Sequence, residues 1–157
     1  MTLAENTHYR SKTLAAWLAL LLGVLGLHRM YLYGLKDRWA WLHPWPSAAG
    51  FVGVMRMREL GQDDQLSWLL IPFLGTMISV AMLTAIVYAL TPDERWDQQH
   101  NPGQATTATG WGPVMAAVTA LLLGGSTLMG TIAFGGQKFF EWQLESERAQ
   151  NSNRPTP

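Results

Sequence analysis

The sequence predicts an all-α fold, a polytopic bundle of membrane helices with three long spans and a short fourth. Three observations predict it. Charged residues make up 14% of the 157-residue chain, against roughly 25% in a typical soluble domain. The apolar residues gather into uncharged blocks at 13–27, 67–90 and 110–134. Tryptophan occurs eight times, and its amphipathic ring favours the membrane–water interface.

Residues 1–12 are polar and form an N-terminal segment with Arg10 and Lys12 at its end. The run TLAAWLALLLGVLGL at 13–27 follows and continues through His28 and Arg29 to Gly34. As one helix, residues 13–34 reach about 33 Å at 1.5 Å per residue, enough for a hydrocarbon core of about 30 Å. A secretory signal is the rival reading, but bulky Leu27, His28 and Arg29 stand where a small-residue cleavage site belongs.

Residues 35–58 are rich in Trp and Pro. Lys36, Asp37 and Arg38 make a charged turn, and Pro44 and Pro46 stand too close together for a helix interior. Pro46 suits the first position of a new helix over 46–55, where its missing N–H costs nothing. That helix is too short to cross a bilayer alone. RMRELGQDDQ at 56–65 reads as a polar loop, and 67–90 as the clearest span, with Pro72 near its start. Residues 91–109 form a polar loop and 110–134 a further span. Residues 135–148 read as a separate amphipathic helix, with Phe139, Phe140 and Trp142 at the bilayer edge and Glu141, Glu145, Glu147 and Arg148 in water. The tail after Ala149 is expected to be disordered.

Lys and Arg accumulate on the cytoplasmic side of a membrane protein. Four spans place Arg10, Lys12, Arg56, Arg58, Lys138, Arg148 and Arg154 inside, and Lys36, Arg38 and Arg95 outside. Three spans, with the N-terminus outside, score about as well. The four-span arrangement is preferred because Arg10 and Lys12 immediately precede the first span. Both put 56–65 and the C-terminus in the cytoplasm and 91–109 outside.

Helices in lipid associate where small residues let their backbones approach. Gly112, Ala116, Ala120 and Gly124 recur every fourth residue of the last span. Shorter runs are Ala15, Ala19 and Gly23, and Ala81, Ala85 and Ala89. These stripes fit packing within one chain, with a homo-oligomer through the last span as the alternative.

Chemistry is sparse. Spans 67–90 and 110–134 contain no Asp, Glu, Lys, Arg or His, which argues against proton-coupled transport, voltage sensing and intramembrane proteolysis. The formal net charge of zero argues against nucleic acid as a partner. Without cysteine there is no disulfide or thiolate chemistry. His8, His28, His43 and His100 show no ligand spacing, so no metal or cofactor is expected. Ser79 and Ser126 have no evident base, and Asp63 and Asp64 read as a solvated loop pair. An enzyme would have to use loop residues such as His28, His43, Asp63 and Asp64. The expected function is non-enzymatic, through contacts with membrane lipids or protein partners; the alternative is a small oligomeric channel or carrier.

One short motif stands out. His28 and Arg29 close the first apolar run among Tyr31 and Tyr33. Arg29 is placed to hold an anion at the membrane edge, a lipid phosphate or the face of a tryptophan. Ser11-Lys12-Thr13, the run AAWLALLLGVLG and LHRMYLYG together resemble the start of the two-transmembrane (TM-two) domain family. Its bacterial members typically read K-S-K, an apolar run with G-x-x-G, then G-x-H-R-F-Y-L-G. The resemblance covers residues 11–34. Met30 replaces the usual phenylalanine, Tyr33 is an insertion before Gly34, and a Trp/Pro-rich segment separates this stretch from the next span, which lacks the Asp often found near its end. The resemblance implies a small protein of the bacterial cytoplasmic membrane, with His28, Arg29 and Tyr31 as motif residues and a TM-two-like region over 13–90. The span at 110–134 is then an addition.

Overall fold

The computed structural model describes residues 9–104 and 108–152, and these are helical without a strand. The order is α1 (Lys12–Leu22), a 3-10 turn (Gly23–Leu25), α2 (Leu27–Tyr33), α3 (Arg38–Leu42), α4 (Pro44–Leu60), α5 (Gln65–Leu90), α6 (Asp93–His100) and α7 (Gly112–Ser152).

The first apolar run is not one helix. Gly26 adopts φ 74°, a left-handed conformation that glycine takes at no steric cost. A Cβ there would collide with the Ala40 carbonyl. The chain therefore reverses after 11 residues of α1, and α2 climbs back beside it. The Tyr31 hydroxyl accepts a hydrogen bond from Ser11 N at 2.8 Å, and Leu32 is buried against Ala15 and Trp96. Neither limb reaches about 30 Å, so the single span expected over 13–34 is replaced by a helical hairpin.

The descent is made by α3 and α4. Asp37 caps α3 by accepting from Trp39 N at 3.1 Å. The Ser47 hydroxyl lies 2.8 Å from the carbonyl of Val24 and 3.0 Å from that of His43, fastening the start of α4 to the 3-10 turn. Gly50 and Gly53 then let α4 lie against Leu74 and Leu70 of α5. The helix begins two residues before Pro46 and runs through residues expected to be loop, leaving only 61–64 as the turn. There Asp64 caps α5, accepting from Ser67 N at 3.2 Å.

α5 and α7 are the two helices long and apolar enough to cross a membrane, with 26 and 41 residues. They run antiparallel, from Gly124 against Met82 to Gly75 against Thr131. α1 wedges between their α6-proximal halves, where Ala16, Ala89 and Ala116, then Ala19, Ala85 and Ala120, form the buried seam. α7 continues unbroken through Gly135 and Gly136, so the expected separate amphipathic helix is its last third. Helix also persists to Ser152, where a disordered tail was expected; residues 153–157 lie outside the described residues.

Parity follows from these contacts. The start of α1, the end of α5 and the start of α7 lie at one end of the bundle, together with α6. The turn 61–64 lies at the other. Residues 9–12 thus share an end with 91–104, against the four-span expectation that separated them. The basic side chains also divide differently. Arg10, Lys12, Arg29, Lys36, Arg38 and Arg95 belong to the α6 end, and Arg56, Arg58, Lys138 and Arg148 to the other. That division no longer assigns the cytoplasmic side to the C-terminus; Arg154 lies outside the described residues.

Candidate functional site

The polar and aromatic groups converge at the α6 end. The stretch expected to be a plain loop carries α6, whose Trp96 is only 2% exposed. Trp96 Nε1 donates to the Arg10 carbonyl at 2.8 Å, and Arg10 N donates to Asn101 Oδ1 at 2.7 Å. Lys12 is buried; its ammonium donates to the Thr91 carbonyl at 2.9 Å and pairs with Asp93. Asp93 also accepts from Thr109 N at 2.9 Å and Thr109 Oγ1 at 2.7 Å. Burial pushes the Asp93 carboxyl up, but the Lys12 ammonium and the Thr109 bonds outweigh it and hold it down at about 2. Lys12 is a structural bolt between α1, α5 and α6, a role its sequence position beside Arg10 did not reveal.

The motif residues lie beneath this cap. Arg29 Nε donates to Asp37 Oδ2 at 2.7 Å, and its guanidinium carbon is 5.1 Å from the centre of the Tyr33 ring. The anion it meets is a carboxylate eight residues on, and the ring is tyrosine; the sequence reading named a lipid phosphate or a tryptophan. Hydrogen bonding to Arg29 lowers the Asp37 pKa. Tyr31 ties α2 to the start of α1. His28 is 2% exposed and faces inward, with its Nδ1 buried and without a hydrogen-bond partner.

His28 begins a chain of ring contacts. Its ring centre is 5.5 Å from that of His43, edge-on, and 5.9 Å from that of Tyr88. Tyr88 meets Trp96 at 5.5 Å, and Trp96 stacks on His100 at 4.2 Å. His100 is 6.3 Å from Tyr33, and burial lowers its pKa. No sequence spacing pointed to this cluster, because its members come from α2, α5, α6 and the α3–α4 junction. His8 lies outside the described residues.

Elsewhere the polar groups serve the backbone. The hydroxyls of Ser79 and Ser126 donate to the carbonyls of Gly75 and Leu122, each at 2.8 Å. Asp64 pairs with Arg56 at 2.9 Å, which with Ser67 holds its carboxyl down at about 2. Among the described residues no three of His, Asp or Glu gather in a metal-binding group. The small-residue stripe faces inward. A Cβ on Gly112 would lie 2.7 Å from Thr13, Ala116 and Ala120 are fully buried, and a Cβ on Gly124 would lie 2.6 Å from Met82. Two apolar clefts flank the outer face of α5 and share Thr76. One of about 350 Å³ lies against Gly124 and Gly125 of α7, the other of about 530 Å³ between Pro46 and Gly135. Comparison of the chain with family models, curated proteins and solved structures finds no match.

Proposed function

We propose that the chain is a multi-pass protein of the cell membrane that works through contacts with lipid or protein partners and catalyses no reaction. One observation carries this reading. In both long helices only 17% of the apolar window is buried inside the protein, so the rest meets an apolar surrounding or none. Leu69, Leu83, Leu121, Leu122, Met129 and Ile132 are all exposed, a surface far more apolar than water tolerates. A core helix of a water-soluble domain would be covered. The composite of α3 and α4 supplies the third crossing, and α1–α2 enters and returns on the α6 side. Residues 11–34 support a kinship with the TM-two family.

Contact is favoured over conduction because both clefts open on the outer face of α5, where they offer apolar walls and no charged lining. Carbonate extraction tests the membrane reading: the chain stays in the membrane pellet and needs detergent for release. Its appearance in the carbonate supernatant contradicts an integral protein. In proteoliposomes it passes no ions; a flux would favour the channel alternative.

A further inference from the structure

The geometry points to a lipid contact at the knee between α2 and α4: we propose that residues 35–45 dock on the headgroups of anionic phospholipid in the leaflet on the α6 side. The proposal rests on the reading of the chain as a membrane protein and names the class of lipid it meets.

The knee carries charge that the protein leaves unanswered. Lys36 and Arg38 are exposed, and among the described residues neither pairs with an acid. The acid between them, Asp37, is committed elsewhere. Its carboxylate meets Arg29 at 2.7 Å, with its side chain only 11% exposed, and it caps α3 by accepting from Trp39 N. The Arg29–Asp37 pair is neutral, so the turn presents the charges of Lys36 and Arg38 uncompensated. By contrast, Lys12, Arg56 and Lys138 are each matched by an acid.

Three tryptophans flank these cations. Trp39, Trp41 and Trp45 are 65%, 55% and 75% exposed. Ala40 is the buried residue of α3, and its backbone lies against Gly26, so the indoles are left on the outside of the bundle. His43 keeps a helical φ of −64° and ψ of −42°, which puts Trp41 and Trp45 one turn apart on one face. Trp41 Nε1 donates to the Leu35 carbonyl at 2.9 Å and ties its ring to the turn that carries Lys36. Cations and indoles thus form one patch.

The depth of the patch suits a bilayer edge. Tyr33, at the top of α2, lies 6.3 Å from His100 of α6, so the turn is level with the polar end of the bundle. From Arg38 to Trp45 the chain descends at most about 10 Å at 1.5 Å per residue. The headgroup zone on one side of a bilayer is roughly 5–8 Å deep. The cations therefore stand among phosphates, and the indoles reach the acyl boundary that tryptophan favours. An indole belt alone is indifferent to lipid charge. Each exposed cation near the surface favours an anionic leaflet about fivefold, and Arg38 adds a planar fork that fits a phosphate.

The test reconstitutes the full chain in vesicles of phosphatidylcholine and phosphatidylglycerol, with bromine on the acyl chains of one lipid at a time. Bromine quenches tryptophan fluorescence on contact, and varying the composition yields the relative association constant of the two lipids. The expected result is a several-fold preference for phosphatidylglycerol. The double variant Lys36→Gln, Arg38→Gln brings the ratio close to one, and salt at about 1 M does the same by screening. Neither side chain has a partner to lose, so the double variant keeps the wild-type melting temperature in detergent. Arg58→Gln, at the opposite end of the bundle, keeps the wild-type ratio. A ratio of one in the wild type leaves the knee to zwitterionic lipid or a protein partner and overturns the assignment. A preference that survives in the double variant overturns it too. Quenching by neither lipid places the chain outside the bilayer and overturns the membrane reading as well, which tells the two failures apart.

Discussion

Lys12 joins three elements with one side chain. Asp93→Ala leaves its buried ammonium with the Thr91 carbonyl alone, and the expected loss is about 1–3 kcal/mol, between that of a surface pair and a fully buried one. A thermal melt in detergent measures it. The same carboxylate sets a pH dependence. Its pKa is held at about 2, below the usual value of about 3.9. A depressed carboxylate contributes stability that is complete above its unfolded value and is lost as pH falls toward its folded value. The melting temperature should therefore drop between about pH 5 and pH 2, and less steeply in Asp93→Asn. Asp64 titrates in the same window, so the variant removes part of the drop. Arg29 belongs to a second pair. Arg29→Ala and Asp37→Ala should each lower the melting temperature, with the double variant no worse than the worse single; additive losses would separate the two residues. Lys12 was visible in the sequence as a basic residue before a span and as part of the Ser11-Lys12-Thr13 stretch, and neither named its partner. Its acceptor is 81 residues away, and no local spacing encodes such a partner.

Elements were legible where hydrophobic patterning decides them. α5 and the apolar part of α7 stand out because long uncharged runs leave one solution. The break between α1 and α2 was hidden, since GVLGL is as apolar as the helix before it and only the backbone of Gly26 distinguishes them. α6 was hidden for the opposite reason: its residues are polar, and a buried Trp96 in a charged octapeptide looks like a loop tryptophan. Gly26→Ala should cost about 2 kcal/mol or more, from the left-handed backbone alone before the clash with Ala40. Loss of cooperative melting or a large fall in melting temperature is expected, and a wild-type melt would contradict the reversal. The stripe on α7 gives a paired test. A Cβ at Gly124 meets Met82, whereas at Gly125 it meets nothing within 4 Å. Gly124→Ala should destabilise the chain. Gly125→Ala should be neutral or stabilise by up to about 1 kcal/mol through helix propensity.

At the scale of the whole molecule, the hairpin changes which ends face the same side. Composition predicted an all-helical chain with apolar spans. The crossing count depended on whether 13–34 continues or turns back, and a single left-handed glycine decides that. With the turn, both residues 9–12 and 91–104 lie on the α6 side, and 61–64 lies opposite with the C-terminal end of α7. The native chain has no cysteine, so single replacements report cleanly. Thr7→Cys, Gln62→Cys, Gln104→Cys and Ser152→Cys are expressed separately and treated in intact cells with a membrane-impermeant thiol reagent. Thr7 and Gln104 should behave alike, Gln62 and Ser152 should behave alike, and the two pairs should differ. Thr7 reacting together with Gln62 rather than Gln104 would contradict the hairpin, and equal labelling at all four positions would contradict a chain that crosses the membrane.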